Sequence, residues 1–284
     1  MSLISPEALA ARLAAGPAAS KVRLADVRWY LGKPGAGRAA FQAGHLPGAI
    51  FLDLDSDLSA RSGPGRHPLP DPAWLADHLG AVGFGSGDLV VAYDDAGGGV
   101  AARLWWMLDD LGHTDAAVLD GGIGAWTSAG YTLSTEEPAW PPARLDLAPQ
   151  WSKVIDREAL LPRLCSVVLL DARAPARYRG EVEPIDPVAG HIPTALNAPL
   201  DGNLGPDGRF LPPDALRARF RGLVATGAEV VTSCGSGTNA CQNALAMRLA
   251  GLPDPLLYPG SYSDWSRAGM PVATGPEPGE PPLR

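Results

Sequence analysis

One cysteine, Cys234, stands where it can act as a nucleophile. It follows an apolar run at 229–232 that predicts a buried strand, and it precedes the glycine-rich residues 235–240 and a predicted helix at 240–249. Backbone N–H groups of such a loop can point at the sulfur, and the helix adds the positive end of its dipole. Both effects stabilise the thiolate, which is the nucleophilic form of cysteine. The segment therefore predicts a reactive cysteine at the carboxyl end of a strand.

The chain contains two related halves. The motif DVR at 26–28 recurs as DAR at 171–173, and GHLPGA at 44–49 recurs as GHIPTA at 190–195. Further matches follow in the same order along both halves. Such ordered self-similarity over half the chain predicts two homologous domains rather than a solenoid of short repeats.

Short apolar runs alternate with helical segments in each half. Examples are the predicted strands at 89–93 and 167–170 and the predicted helix at 100–111. This alternation favours the α/β class, with a parallel sheet covered by helices on both faces in each domain. Ligands of such sheets bind at the carboxyl ends of the strands, which is where Cys234 is expected.

The domain boundaries follow from the repeat and from proline content. We predict a first domain at 1–137, inactive because Asp94 stands at the cysteine position, and a second, catalytic domain at 153–272. The proline-rich residues 138–152 predict a stiff linker. Residues 273–284 predict a flexible tail.

Composition narrows the function classes. The chain has 284 residues and a formal net charge of −8, which disfavours nucleic-acid and anionic-membrane partners. Three cysteines do not form a disulfide framework, and no cluster has the ligand spacing of a zinc site, so we predict no metal. No apolar run approaches the about 18–20 residues of a membrane span. We therefore expect a reduced, cytoplasmic protein.

Together these motifs resemble the tandem-domain rhodanese-type sulfurtransferases, which include thiosulfate and 3-mercaptopyruvate sulfurtransferases. The matching segments include DVRWY at 26–30, GRHPLP at 65–70, DARAPARYRG at 171–180, CGSGTNA at 234–240 and YPGSYSDW at 258–265. The resemblance implies two rhodanese-like domains, with the active cysteine in the second one only. It also implies that no cofactor is needed, since the sulfur is carried as a covalent cysteine persulfide.

The resemblance further implies a ping-pong reaction through Cys234. The cysteine takes a sulfane sulfur from a small anionic donor and passes it to cyanide, a thiol or thioredoxin. Arg179 is implied to bind the anionic end of the donor. The residues implied to stabilise the negative sulfur are Gly235, Ser236, Gly237, Thr238, Asn239 and Ala240.

Two more residues are candidates for the site. His45 matches a histidine that is implied to assist proton transfer together with Ser236, although its recurrence as His191 equally favours a role in holding the GHxP turn. Trp29, next to the DVR motif, is either a wall of the active site or a packing residue.

The identity of the donor stays open. The loop sequence CGSG is typical of mercaptopyruvate-type enzymes, but the second arginine that those enzymes carry is missing near Ile185. We expect thiosulfate as the donor by a slight margin over 3-mercaptopyruvate. The alternative is a non-catalytic persulfide- or anion-binding, regulatory protein of the same fold. A phosphatase is disfavoured because Ala240 occupies the place where a phosphate-binding arginine would be needed.

Overall fold

The computed structural model describes residues 1–16 and 21–282, and the chain divides into two compact units. Unit 1 comprises Met1–Ala60, Pro70–Ser152 and Gly205–Phe210, and unit 2 comprises Arg61–Leu69, Lys153–Leu204 and Leu211–Arg284. The segment Arg61–Leu69 therefore packs with the unit that contains Cys234, although it lies within the first half of the sequence. This placement supplies two residues to the candidate site.

Unit 1 is built around a parallel β-sheet. Its strands are β1 (Leu3–Ile4), β2 (Val22–Asp26), β3 (Ala49–Phe51), β4 (Leu89–Tyr93) and β5 (Ala116–Leu119). Its helices are α1 (Pro6–Leu13), α2 (Ala36–Ala43), α3 (Pro72–Ala81), α4 (Ala101–Asp110) and α5 (Gly122–Ser128). The strands follow the order β1-β5-β4-β2-β3, and all are parallel. Strand β4 has the predicted bounds and is almost wholly buried, as a strand covered on both faces must be.

Unit 2 repeats this plan with a smaller sheet. Its strands are β6 (Val168–Asp171), β7 (Leu196–Asn197), β8 (Val230–Ser233) and β9 (Leu256–Leu257). Its helices are α6 (Arg157–Leu160), α7 (Pro175–Tyr178), α8 (Pro213–Arg221), α9 (Ala240–Leu249) and α10 (Ser261–Arg267). The parallel order β7-β6-β8-β9 places β8 inside the sheet, so its carboxyl end leads into the loop before α9. The predicted α/β class with a parallel sheet in each half is confirmed.

The repeated DVR and DAR motifs form the same buried ion pair in both units. In unit 1, Arg28 donates from Nε and Nη2 to the Asp26 carboxylate at 3.0 and 2.6 Å, and Nη2 also reaches the carbonyl of Gly44 at 2.8 Å. Arg173 and Asp171 form the same buried pair in unit 2, with contacts of 3.0 and 2.7 Å. Since both partners are buried and hydrogen-bonded, the motif is explained by the fold itself.

The carboxyl-terminal residues correct one expectation. We predicted a flexible tail at 273–284, but Ala273 exchanges backbone hydrogen bonds with His191 at 2.8 and 2.9 Å. The carbonyl of Pro278 accepts the Thr194 N–H at 2.7 Å. Backbone hydrogen bonds thus hold residues 273–278 against the rest of unit 2. Residues 283–284 lie outside the described part of the chain. Within residues 1–16 and 21–282, no helix is both long and apolar enough to cross a membrane.

Candidate functional site

Cys234 is the first residue after strand β8 and is only 3% exposed. Its N–H donates to Ser261 Oγ at 3.1 Å, and its carbonyl accepts the Tyr262 N–H at 3.0 Å. The Ser236 N–H donates to its Sγ at 3.4 Å. The backbone of Cys234 is therefore fixed on both sides, and a loop amide points at the sulfur.

Two glycines allow the loop to close tightly. Gly237 has a φ of +76°, and a Cβ on it would lie 2.3 Å from the carbonyl oxygen of Pro259. At Gly235, a Cβ would lie 2.7 Å from Nη2 of Arg66. A side chain is therefore excluded at Gly237 by the backbone, whereas at Gly235 it would displace the guanidinium group of Arg66. Helix α9 begins directly after the loop and directs its positive end toward the same region.

The corresponding loop in unit 1 already contains an anion. There, Asp94 is 1% exposed, and its carboxylate accepts four backbone N–H groups at 2.8–2.9 Å, those of Ala96, Gly98, Val100 and Ala101. The position of Ala96 corresponds to that of Ser236, whose N–H contacts the Cys234 sulfur. The loop before the helix is thus a cradle for negative charge in this fold. The two units differ in the group that the loop surrounds, a carboxylate in unit 1 and a cysteine sulfur in unit 2.

A histidine of the segment Arg61–Leu69, His67, contacts the loop. Nδ1 of His67 lies 2.8 Å from Ser236 Oγ and 3.4 Å from Thr238 Oγ1. His67 belongs to the segment Arg61–Leu69, which packs within unit 2. Its signal was present in GRHPLP at 65–70, a matching segment to which no role was given. Ser236 therefore joins the cysteine sulfur, through its N–H, to an imidazole, through its hydroxyl.

His45, by contrast, is explained by the fold. Its Nδ1 lies 2.8 Å from the carbonyl of Phe41 and its Nε2 lies 3.0 Å from the carbonyl of Glu136. His191 makes the equivalent contacts in unit 2, at 2.7 and 3.1 Å, and both rings stack on an aromatic neighbour at 3.8 Å. The expectation that His45 partners Ser236 is corrected, since His67 is the imidazole at Ser236. The alternative, that the GHxP histidine holds its turn, is supported.

The cations beside the loop are Arg177 and Arg66. A Cβ built on Gly235 would lie 3.5 Å from Nη1 of Arg177 and 2.7 Å from Nη2 of Arg66. Arg179, which we expected to bind the donor, instead donates to Glu181 at 2.7 and 2.9 Å, and its carbonyl accepts a tail N–H. Arg177 lies in α7 and Arg179 follows it, and residues two apart point to nearly opposite sides of a helix with about 3.6 residues per turn. The structure therefore places Arg177, and not Arg179, beside the loop.

Buried carboxylates hold these guanidinium groups. Arg177 donates to Glu183 at 2.7 Å and to Asp186 at 3.4 Å, and Arg66 also pairs with Asp186. Burial alone would raise the pKa of Glu183, but the hydrogen bond from Arg177 and the N–H groups of Asp186 and Ile185 outweigh it and hold that pKa below its usual value. Glu183 is therefore ionised at neutral pH and fixes the orientation of Arg177.

The remaining predicted residues lie as follows. Thr238 is buried in the loop, half-buried Asn239 precedes helix α9, and Ala240 is the buried first residue of that helix. Trp29 donates to the carboxylate of Asp55 at 2.8 Å within unit 1, so its part in a binding site stays a prediction. Cys241 is buried, with its Sγ 3.4 Å from the carbonyl oxygen of Gly237.

Comparisons with known proteins agree with two domains of one family. Both halves match the family model described as a rhodanese-like domain, at residues 5–129 and 157–268. A Pseudomonas aeruginosa protein described as a probable 3-mercaptopyruvate sulfurtransferase is 48% identical over 282 residues, covering 96% of this chain and 98% of that protein. The thiosulfate sulfurtransferase of Rattus norvegicus is 34% identical over 278 residues, covering 95% of this chain and 93% of that protein.

A solved structure is similar throughout both halves. The 3-mercaptopyruvate sulfurtransferase from Leishmania major has a TM-score of 0.82 and 31% sequence identity, covering 94% of this chain and 74% of that one. The relatives thus include proteins named for each of the two donors. The slight preference for thiosulfate is therefore not confirmed.

Proposed function

Since this chain belongs to the rhodanese family and is a sulfurtransferase, we propose that it takes its sulfur from 3-mercaptopyruvate and carries it as a persulfide on Cys234. The observation that supports this donor is the 2.8 Å contact between Ser236 Oγ and His67 Nδ1 beside the cysteine. A pair of this kind can supply a proton at the place where the donor's bond breaks.

The two donors differ in their need for that proton. In the first half-reaction, the Cys234 thiolate attacks the thiol sulfur of 3-mercaptopyruvate, an S–S bond forms, and the C–S bond breaks. The carbon keeps the electron pair as the enolate of pyruvate, and protonation at that carbon yields pyruvate. Thiosulfate would release sulfite, which leaves as an anion without a proton. The Ser236–His67 pair is therefore useful with 3-mercaptopyruvate and unnecessary with thiosulfate.

In the second half-reaction, an acceptor removes the outer sulfur. A thiolate or cyanide attacks it, the S–S bond to Cys234 breaks, and the cysteine leaves as a thiolate. The loop residues 235–240 stabilise negative sulfur in both half-reactions through their N–H groups, in the way that the unit 1 loop holds the Asp94 carboxylate. Because the sulfur is bound covalently, the proposed reaction needs no cofactor. A thiol such as thioredoxin as acceptor, and a cytoplasmic location, are part of the proposal.

Arg177 is proposed to bind the carboxylate of the donor. A guanidinium group is always charged and matches the two oxygens of a carboxylate. It lies next to the loop, which suits a chain whose net charge of −8 would repel an anion at long range.

The test is a comparison of kcat/KM for the two donors in the wild type, Ser236→Ala and His67→Asn. We expect the wild type to prefer 3-mercaptopyruvate, and each substitution to lower kcat with 3-mercaptopyruvate by about 100-fold, within the usual contribution of a general acid. With thiosulfate, both variants should keep most of the wild-type rate. Equal losses with both donors, or a wild type that prefers thiosulfate, would overturn the assignment of the donor.

A further inference from the structure

The position of Arg66 beside the Cys234 loop is fixed by backbone contacts. The Arg66 N–H donates to Ser263 Oγ at 3.0 Å, and the following residue, His67, contacts Ser236. The preceding residue, Gly65, has a φ of +80°, and a Cβ there would lie 2.5 Å from a backbone oxygen of unit 2. The chain on both sides of Arg66 is therefore closely packed, and the position of its side chain is set by fixed backbone.

The guanidinium group of Arg66 has donors left for a ligand. Its Nη1 pairs with the Asp186 carboxylate, whose side chain is fully buried. Its Nε is buried and has no hydrogen-bond partner among the residues that the structure describes. Its Nη2 points toward Gly235, the neighbour of the reactive cysteine. A buried N–H without a partner is unfavourable, and an oxyanion bound there would remove that penalty.

Arg66 and Arg177 converge on the same place. Measured to a Cβ built on Gly235, Nη2 of Arg66 lies at 2.7 Å, and the two Nη atoms of Arg177 lie at 3.5 and 3.8 Å. Asp186 contacts both arginines and so keeps the two cations close together. Nε and Nη2 of Arg177 already donate to Glu183 and Asp186, so Nη1 of Arg177 and Nη2 of Arg66 are the donors that face this loop residue. Together these N–H groups can bind an oxyanion with several oxygen atoms.

We propose that Arg66 is the second residue that binds the anionic end of the sulfur donor, and that it forms a clamp with Arg177 beside Cys234. This inference rests on the proposed function and specifies how the donor is recognised. The clamp selects small sulfur donors that carry a carboxylate, as 3-mercaptopyruvate does, or a comparable oxyanion group, as thiosulfate does. The second arginine expected from the resemblance is absent near Ile185, and Arg66 brings a guanidinium group to the adjacent residue, Asp186, from a distant part of the chain.

The test compares donors with and without the anionic group. We would measure kcat and KM for 3-mercaptopyruvate, thiosulfate and mercaptoacetone, in which a methyl group replaces the carboxylate of 3-mercaptopyruvate. The variants are Arg66→Ala and Arg66→Lys, and Arg61→Ala is the matched control because Arg61 is an exposed arginine of the same segment. Thermal unfolding of each variant reports whether the fold is retained.

We expect Arg66→Ala to raise KM for 3-mercaptopyruvate about 10- to 100-fold, the effect of losing a hydrogen-bonded charge pair. Its kcat/KM for mercaptoacetone should stay within about threefold of the wild type, since that donor lacks the carboxylate. Arg66→Lys should recover part of the loss, and Arg61→Ala should match the wild type. Equal losses with 3-mercaptopyruvate and mercaptoacetone would show that Arg66 acts only through the structure. An unchanged KM for 3-mercaptopyruvate would show that Arg66 does not contact the donor. Either result overturns the clamp.

A failure of the proposed donor is distinguishable from a failure of the clamp. If the wild type forms no persulfide with 3-mercaptopyruvate but does so with thiosulfate, the choice of donor is wrong. The clamp is then judged by KM for thiosulfate, which must rise in Arg66→Ala and recover partly in Arg66→Lys. An unchanged KM for thiosulfate in that case rejects the clamp as well.

Discussion

The carboxylate of Asp94 provides a direct test of the cradle in this fold. Its two oxygens each accept two backbone N–H groups, at 2.8–2.9 Å, and its side chain is buried. We predict that Asp94→Asn strongly destabilises unit 1. The variant keeps one acceptor oxygen, whereas its amide NH₂ replaces the other oxygen and faces two N–H donors. Two of the four hydrogen bonds are lost, and donors are brought against donors.

The expected loss follows from the number of hydrogen bonds. A hydrogen bond to a charged group contributes about 1.5–3 kcal/mol, so losing two costs about 3–6 kcal/mol in the free energy of unfolding. A domain has a total stability of only about 5–15 kcal/mol, so unit 1 would become marginal. The neighbouring Asp95 is exposed and accepts one hydrogen bond, from Tyr30, at 2.5 Å. Asp95→Asn should therefore cost less than about 1 kcal/mol.

The assay is urea denaturation followed by tryptophan fluorescence and by a second probe, far-ultraviolet circular dichroism. We expect the midpoint for unit 1 to fall sharply in Asp94→Asn with an unchanged slope, and to stay near the wild-type value in Asp95→Asn. If Asp94→Asn unfolds within about 1 kcal/mol of the wild type, the loop does not need a bound anion. The Asp94 loop would then give no support to the proposal that the Cys234 loop stabilises a negative sulfur.

Three further predictions concern unit 2. Arg177→Ala should raise KM for the donor about 10-fold or more. Arg179→Ala removes only an exposed ion pair and should leave KM unchanged. Steady-state kinetics of the two variants show which arginine binds the donor. Gly237→Ala should lose about 2 kcal/mol or more of stability and most of the activity, because its Cβ would lie 2.3 Å from a backbone oxygen. The control Gly269→Ala, at φ +67° with no atom near its Cβ, should lose only the about 1–2 kcal/mol of backbone strain. The pKa of Glu183 is lowered in the folded state, so its ionised form stabilises the fold at a pH above its ordinary pKa of 4.5. This stabilisation is lost as the pH falls through the pKa of the folded state. Urea denaturation across acidic pH should accordingly show a stability difference between wild type and Glu183→Gln that is constant at neutral pH and shrinks below about pH 4.5; a difference that persists in acid would contradict this cause.

Sequence patterns predicted the parts of this protein that depend on local order. Strand β4 and helix α9 have the predicted bounds, because apolar runs and helical periodicity are local signals. The loop at Cys234 was predicted because a glycine-rich turn between a strand and a helix has few conformations. The placement of Asp94 at the corresponding position followed from the repeat alone.

The differences between the expected and the observed contacts have physical causes that no local pattern contains. Arg177 and Arg179 are two residues apart, and only the turn of helix α7 determines which of them faces the loop. His67 and Arg66 were missed because they belong to the first half of the sequence but pack with unit 2. His45 was assigned a proton-transfer role because its motif matched, while its backbone partners became visible only in the structure.

Cys234 is proposed to carry a transferable sulfur. The most direct measurement is the intact mass of the protein after incubation with 3-mercaptopyruvate or thiosulfate and removal of the donor. We predict a gain of about 32 Da, one sulfur atom as a persulfide, which is present in Cys165→Ser and Cys241→Ser, absent in Cys234→Ser, and lost when a thiol acceptor is added. No gain with either donor, or the same gain in Cys234→Ser, would show that Cys234 does not carry the sulfur.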